Sequence, residues 1–188
     1  MHRFEGRVYV TGYGPFGLSI EGNPSGLAVE ALQKQGFLEG TVKFQVLYSS
    51  VKAISAYFEE LKSKVDVEKD ILISVGVWDK VKSSVQIERT GVNEMDFECA
   101  DNEGFQPRGV PIDKEKGKEE TAKSGLVLPE DFPVSDFAGK LMCNYALYRS
   151  LRITPRSVFI HVPEESDATL EDTRDHLARA VSKLMELN

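Results

Sequence analysis

The sequence predicts a single α/β domain built on a mixed, mostly parallel sheet, and three observations carry that expectation. Short β-branched runs alternate along the chain with stretches of helical apolar spacing. One run, Ile71 to Val77 (ILISVGV), is almost continuously apolar, the pattern of a strand covered on both faces. The 188 residues, 41% of them hydrophobic, are enough for one core and too few for two.

The elements follow in order. Arg7 to Thr11 (RVYVT) reads as a first strand ended by Gly12, and the next twelve residues, GYGPFGLSIEGN, read as a loop punctuated by Gly and Pro. Asn23-Pro24-Ser25 supplies a cap and a Pro at the first helical position; Leu27, Val29, Ala31 and Leu32 carry the apolar face of that helix as far as Gly36. Val42 to Tyr48 alternates as a second strand, and Ile54, Phe58 and Leu61 repeat at helical spacing in a helix running through Lys64. After the buried strand at 71–77, Val85 to Thr90 reads as one further strand and 101–112 as a loop. Residues 113–123 hold eight charges in eleven positions, the composition of a solvated helix or loop face. Leu141 to Leu151 is read as a helix, Ser157 to Val162 as a strand, and Thr169 with Asp172 as the opening of a last helix bearing Leu177, Val181 and Leu184.

Composition narrows the function. Lys and Arg total 23 against 30 Asp and Glu, a net charge of −7, so there is no broad basic footprint and nucleic acid is not an expected partner. No run of apolar residues is long enough to span a bilayer, and the N-terminal residues lack the pattern of a secretory signal, so the expected location is cytoplasmic, away from membranes. The two cysteines form no disulfide framework, although a bridge between them is possible in principle, and they suit a reducing compartment. Three histidines and two cysteines are scattered without ligand spacing, so neither a metal nor a cofactor is implied.

The reactive side chains are few. His2 and His176 read as structural. His161 ends the apolar run Ser-Val-Phe-Ile at the carboxyl end of a predicted parallel strand, where sites of open α/β sheets collect. Cys143 follows the turn signal Ala138-Gly139 at the start of a predicted helix, where free N–H groups and the helix dipole favour a thiolate. Cys99 stands among acidic neighbours, which disfavour one. A thiol nucleophile needs a base and its leaving amine needs an acid; His161 can serve as both, with Glu88 as a candidate orienting carboxylate. In the first loop, the spacing of Gly12, Gly14 and Gly17 fits no phosphate-binding pattern and Pro15 removes an N–H. Tyr13 and Phe16 instead suggest an aromatic slot for a small flat group.

Taken together, Thr11-Gly12-Tyr13-Gly14-Pro15-Phe16-Gly17, Asn23-Pro24-Ser25, Glu88-Arg89, Asp101-Asn102-Glu103-Gly104 with Gln106-Pro107, Ala138-Gly139 ahead of Cys143-Asn144, and Phe159-Ile160-His161-Val162-Pro163 resemble pyroglutamyl peptidase type I. The likeness runs in order over nearly the whole chain. It implies a three-layer α/β/α sandwich and a cysteine exopeptidase that removes an N-terminal pyroglutamyl residue from peptides through a thioester. It also implies a triad of Cys143 as nucleophile, His161 as base and then acid, and Glu88 as the carboxylate behind the imidazole. The lactam ring is then expected between Tyr13 and Phe16, with Leu141 and Met142 beside it. Peptides beginning with pyroglutamate are the expected partners, and a homo-oligomer is possible.

Several positions depart from the family pattern. Tyr13 stands where Phe is usual, so either its hydroxyl finds a partner or the pocket edge is more polar. Leu141 and Met142 stand where an aromatic often helps to shape the ring pocket. Val77-Trp78-Asp79-Lys80 replaces a small turn containing Gly, Glu98 stands where bacterial members tend to carry Arg, and the segment from Asp101 to Cys143 is short, as if a helix and a strand were trimmed. These departures keep two alternatives in view: an amide hydrolase of shifted substrate, and a weakly catalytic binding protein on the same scaffold.

Overall fold

The computed structural model describes residues 4–17 and 22–188; His2 and part of the first loop lie outside them. Twelve elements follow one another: β1 (Val8–Tyr13), α1 (Pro24–Lys34), β2 (Val42–Leu47), α2 (Val51–Lys62), β3 (Ile71–Val77), β4 (Gln86–Glu88), β5 (Thr90–Val92), β6 (Thr121–Lys123), β7 (Val134–Ser135), α3 (Met142–Leu151), β8 (Ser157–Val162) and α4 (Leu170–Leu187). Six strands form one sheet in the order β2-β1-β3-β8-β4-β7. The first four run parallel, β4 runs antiparallel to β8, and β7 runs parallel to β4.

Side chains alternate across the pleat, so each central strand feeds two cores. Val8 and Val10, Ile71, Ile73 and Val75, and Val158, Ile160 and Val162 pack with Val29 and Leu32 of α1 and Leu177, Val181 and Leu184 of α4. Tyr9 and Tyr13, Leu72, and Phe159 face the other way, against Ile54, Phe58 and Leu61 of α2 and Tyr145, Ala146 and Leu147 of α3. The result is the expected α/β/α sandwich, with β3 and β8 at its centre because their side chains are apolar on both faces. Among the described residues no helix is long and apolar enough to cross a membrane.

The helix ends obey local chemistry. Asn23 caps α1 by accepting from Ser25 N, and Ser50 caps α2 by accepting from Ala53 N. Thr169 caps α4 by accepting from Asp172 N while its hydroxyl donates to the Asp172 carboxylate. Asp101 adds a long-range support: its buried carboxylate accepts from Val51 N at the head of α2 and from Glu103 N and Phe105 N in its own loop.

One expectation changes, and two are sharpened. The run from Val85 to Thr90 is two strands in different sheets: β4 belongs to the main sheet, whereas β5 pairs with β6 in a separate antiparallel ribbon against α3. Arg89, between them, turns outward and clasps Asp136 with two 2.8 Å hydrogen bonds, which directs the chain out of the main sheet. Of the two readings for the charged stretch at 113–123, helix or loop, the structure has the loop, turns that end in β6, and its backbone is held by the buried Asn93 amide, which donates to the carbonyls of Asp113 and Gly117. The first helix runs to Lys34 with Gln35 as its C-cap, and Gly36 ends it, as its sequence suggests, with a left-handed φ of 66°.

Candidate active site

Strand register brings two of the candidate side chains together. β4 pairs antiparallel with β8 so that Gln86 faces His161 and Glu88 faces Phe159, which sets Glu88 one diagonal step from His161 on the same face. His161 Nδ1 lies 2.9 Å from Glu88 Oε1. The pair is sealed from water: His161 is 2% exposed and Glu88 0%. Gln86 Nε2 donates to the same carboxylate oxygen at 2.7 Å. With Nδ1 held by Glu88, the other ring nitrogen, Nε2, is left for the thiol side.

Cys143 arrives from α3. Its thiol lies beside the imidazole, and a β-carbon built on Gly76 of β3, the residue paired with His161, would come within 3.1 Å of the sulfur. Burial alone would lower the His161 pKa, but the neighbouring Cys143 thiol and Glu88 carboxylate outweigh it and raise the group to about 9. Leu141 occupies the N-cap of α3 without offering a side-chain acceptor, so no side chain caps the first N–H groups of this helix. Asn144, the next residue, anchors the helix: its buried amide accepts from Val92 N and donates to the carbonyls of Val92 and Glu94.

A cavity of about 450 Å³ opens over Cys143, within the size range of small-molecule sites. Tyr13, Phe16, Leu141 and Met142 all line it, together with Ser49, Gly76 and Phe97. Glu88 and His161 lie beneath it, not on its wall. The Tyr13 hydroxyl is buried beside the Ser74 side chain with no hydrogen-bond partner of good geometry among the described residues, and burial pushes its pKa upward. Phe16 is placed by its loop, whose Pro15 carbonyl accepts from Asn102 Nδ2 at 2.8 Å and whose Gly17 N–H donates to Asn102 Oδ1 at 3.0 Å. Close backbone packing under the loop explains two glycines: a β-carbon on Gly26 would lie 2.3 Å from Tyr13 O, and one on Gly12 2.8 Å from Ser25 O.

Sequence reasoning missed several contributors. Phe97 lies in a segment without periodicity, Gln86 was read only as a strand residue, and Asn102 carried no chemistry of its own. Cys99, the weaker thiol, lines the same cavity as Cys143, and both thiols are free. Trp78, noted as a departure from the family pattern, packs against the imidazole. No group of three or more His, Cys, Asp or Glu side chains suited to a metal ion occurs among the described residues.

Comparisons with known proteins point to one family. The profile of a family described as pyroglutamyl peptidase matches residues 6–183. A pyrrolidone-carboxylate peptidase of Bacillus amyloliquefaciens is 31% identical over 205 residues, spanning 94% of this chain and 89% of its own. Pyrrolidone-carboxylate peptidase 1 of Caldanaerobacter subterraneus is 28% identical, over 88% of this chain and 86% of its own. In fold, the pyrrolidone carboxyl peptidase of Thermococcus litoralis superposes with a TM-score of 0.79 at 23% identity, covering 96% of this chain and 94% of its own.

Proposed function

The chain belongs to the pyroglutamyl peptidase family, and from that membership we propose that it is a cysteine omega-peptidase removing an N-terminal pyroglutamyl residue from peptides, with Cys143, His161 and Glu88 as its triad. The observation that carries the assignment of roles is the sealed 2.9 Å contact of His161 with Glu88, next to a thiol on the cavity floor.

The chemistry follows from the geometry. His161 takes the Cys143 proton at Nε2, and the resulting imidazolium is held by Glu88 at Nδ1, so charge separation occurs beside a matching anion. The thiolate attacks the carbonyl carbon that follows the lactam ring. The tetrahedral oxyanion meets the N–H groups of the first turn of α3, which no side chain caps. Imidazolium Nε2 then returns the proton to the departing amine, the C–N bond breaks and a thioester remains. Water, deprotonated by His161, attacks the thioester, and pyroglutamate leaves as the thiol is restored. Tyr13 and Phe16 offer aromatic faces to the lactam, with Leu141 and Met142 as apolar neighbours. The free thiols of Cys99 and Cys143 support a reducing, cytoplasmic setting.

The test is release of aminomethylcoumarin from its pyroglutamyl, prolyl and glutaminyl amides. The pyroglutamyl amide should be cleaved in preference to the other two, and Cys143→Ala and His161→Ala should abolish its cleavage. Preference for another amide would indicate a shifted substrate; no turnover of any, with lactam binding intact, would indicate a binding protein. Full activity in Cys143→Ala would remove the triad.

A further inference from the structure

Within the triad read above, the imidazole of His161 touches two aromatic rings that take no part in the proton transfers. Phe159, two residues earlier on β8, lies 4.8 Å away between ring centroids at 55°, and is fully buried. Trp78 lies 4.9 Å away at 49°. It is half-buried, just past the end of β3, where its backbone N–H donates a 3.1 Å hydrogen bond to Val162 O. Phe137 stands 6.4 Å behind the indole, and Lys80 Nζ lies 5.1 Å from its centre.

A buried imidazolium has lost its water and depends on what surrounds it. The titratable groups acting on His161 are Cys143 from α3 and Glu88 from β4; the neutral Gln86 bonds to Glu88, and β3 contributes only Gly76 at the paired position. Both rings offer π-electrons to a cation, the indole more strongly than the phenyl, and the indole's 4.9 Å separation falls within the range in which that attraction acts.

We propose that Trp78 is a positioning residue for His161: its indole holds the imidazole in the orientation that reaches both Glu88 and Cys143, and favours the protonated ring over the neutral one. The proposal rests on His161 being the base of the triad. Its consequence is directional. Loss of the indole weakens proton retention on the ring once the thiolate has formed, so the ring gives up its proton at lower pH. The group that must protonate the departing amine is then lost earlier on the alkaline side.

The experiment follows iodoacetamide alkylation of Cys143 against pH, with the adduct at Cys143 quantified by peptide mass spectrometry, in the unaltered protein, Trp78→Leu and Trp78→Phe. The alkaline inflection, near pH 9 in the unaltered protein, should fall by about half to one unit in Trp78→Leu, a three- to tenfold loss of proton affinity, and Trp78→Phe should recover most of it. An unchanged inflection in Trp78→Leu overturns the proposal, as does a Phe variant no better than Leu.

Trp78 is the sole tryptophan, which supplies a second measurement that needs no substitution at 78. Its emission should titrate with the same alkaline midpoint, and the inflection should vanish in His161→Ala. A flat titration in the unaltered protein overturns the proposal even if Trp78→Leu fails to fold. A protein that shows the expected inflections but cleaves no pyroglutamyl amide leaves this inference standing and removes the peptidase reading.

Discussion

Gly76 and Cys143 meet at the junction of β3 and α3 so closely that a β-carbon on the glycine would lie 3.1 Å from the cysteine sulfur and 2.6 Å from Phe159 Cζ. The backbone of β3 therefore forms the seat of the thiol, and no side chain fits between them.

Gly76→Ala should cost about 1–3 kcal/mol of stability through overpacking and push the sulfur away from the imidazole. Urea denaturation should register the first effect. A fall in kcat/KM of more than about tenfold should register the second, because small misplacements of reacting groups are costly.

Glu88→Gln keeps the shape of the carboxylate but removes its charge from beside a buried imidazolium. Activity should fall by about 10²–10⁴-fold, and the alkaline limb of the rate profile should move down from near pH 9. Retention of the full rate would show that the 2.9 Å contact with His161 serves only packing.

Stability should depend on pH through His161. Its folded pKa, raised to about 9, exceeds the ordinary value near 6.5, so the folded state binds the proton more tightly than the unfolded chain. The resulting stabilisation, on the order of 3 kcal/mol, is fully present below about pH 6.5 and is lost as pH rises through about 9. Denaturation at pH 6.5 and at pH 9.5 should show this difference in the unaltered protein and not in His161→Ala.

Asn144→Ala removes a buried amide that serves three backbone groups of β5 and the residues after it. Leaving them unpaired should cost about 3 kcal/mol, and the melting temperature should fall by roughly 6–12 °C. Asn102→Ala works on the other wall of the cavity, where the amide holds Pro15 O and Gly17 N at the protein surface. There the expected outcome is a raised KM as Phe16 loosens, with kcat and the melting temperature little changed.

Much of this arrangement is legible in the linear chain. Alternation marks β2, continuous apolar or β-branched runs mark β1, β3 and β8, and period 3.6 marks the four helices, because such burial patterns are a local property of the backbone. Asn23 and Thr169 do announce helix starts by satisfying N–H groups within three residues. The proposed triad is visible as residue types at element ends: Cys143 in the first turn of α3, His161 near the end of β8 and Glu88 at the end of β4.

The short strands β5, β6 and β7 are not visible, since two or three residues carry no period and form only where partners are supplied. For the same reason Val85 to Thr90 could not be divided from the sequence: the break at Arg89 is made by Asp136, 47 positions away. By itself, then, the sequence determined the longer elements, the caps at Asn23 and Thr169 and the residue types of the proposed triad. Tertiary structure alone decided that Gln86 steadies the carboxylate, that Asn102 carries the first loop, that Cys99 shares the cavity and that Trp78 lies against the imidazole. Each is a contact between segments remote in the chain, set by strand register and loop packing, and no local pattern records such contacts.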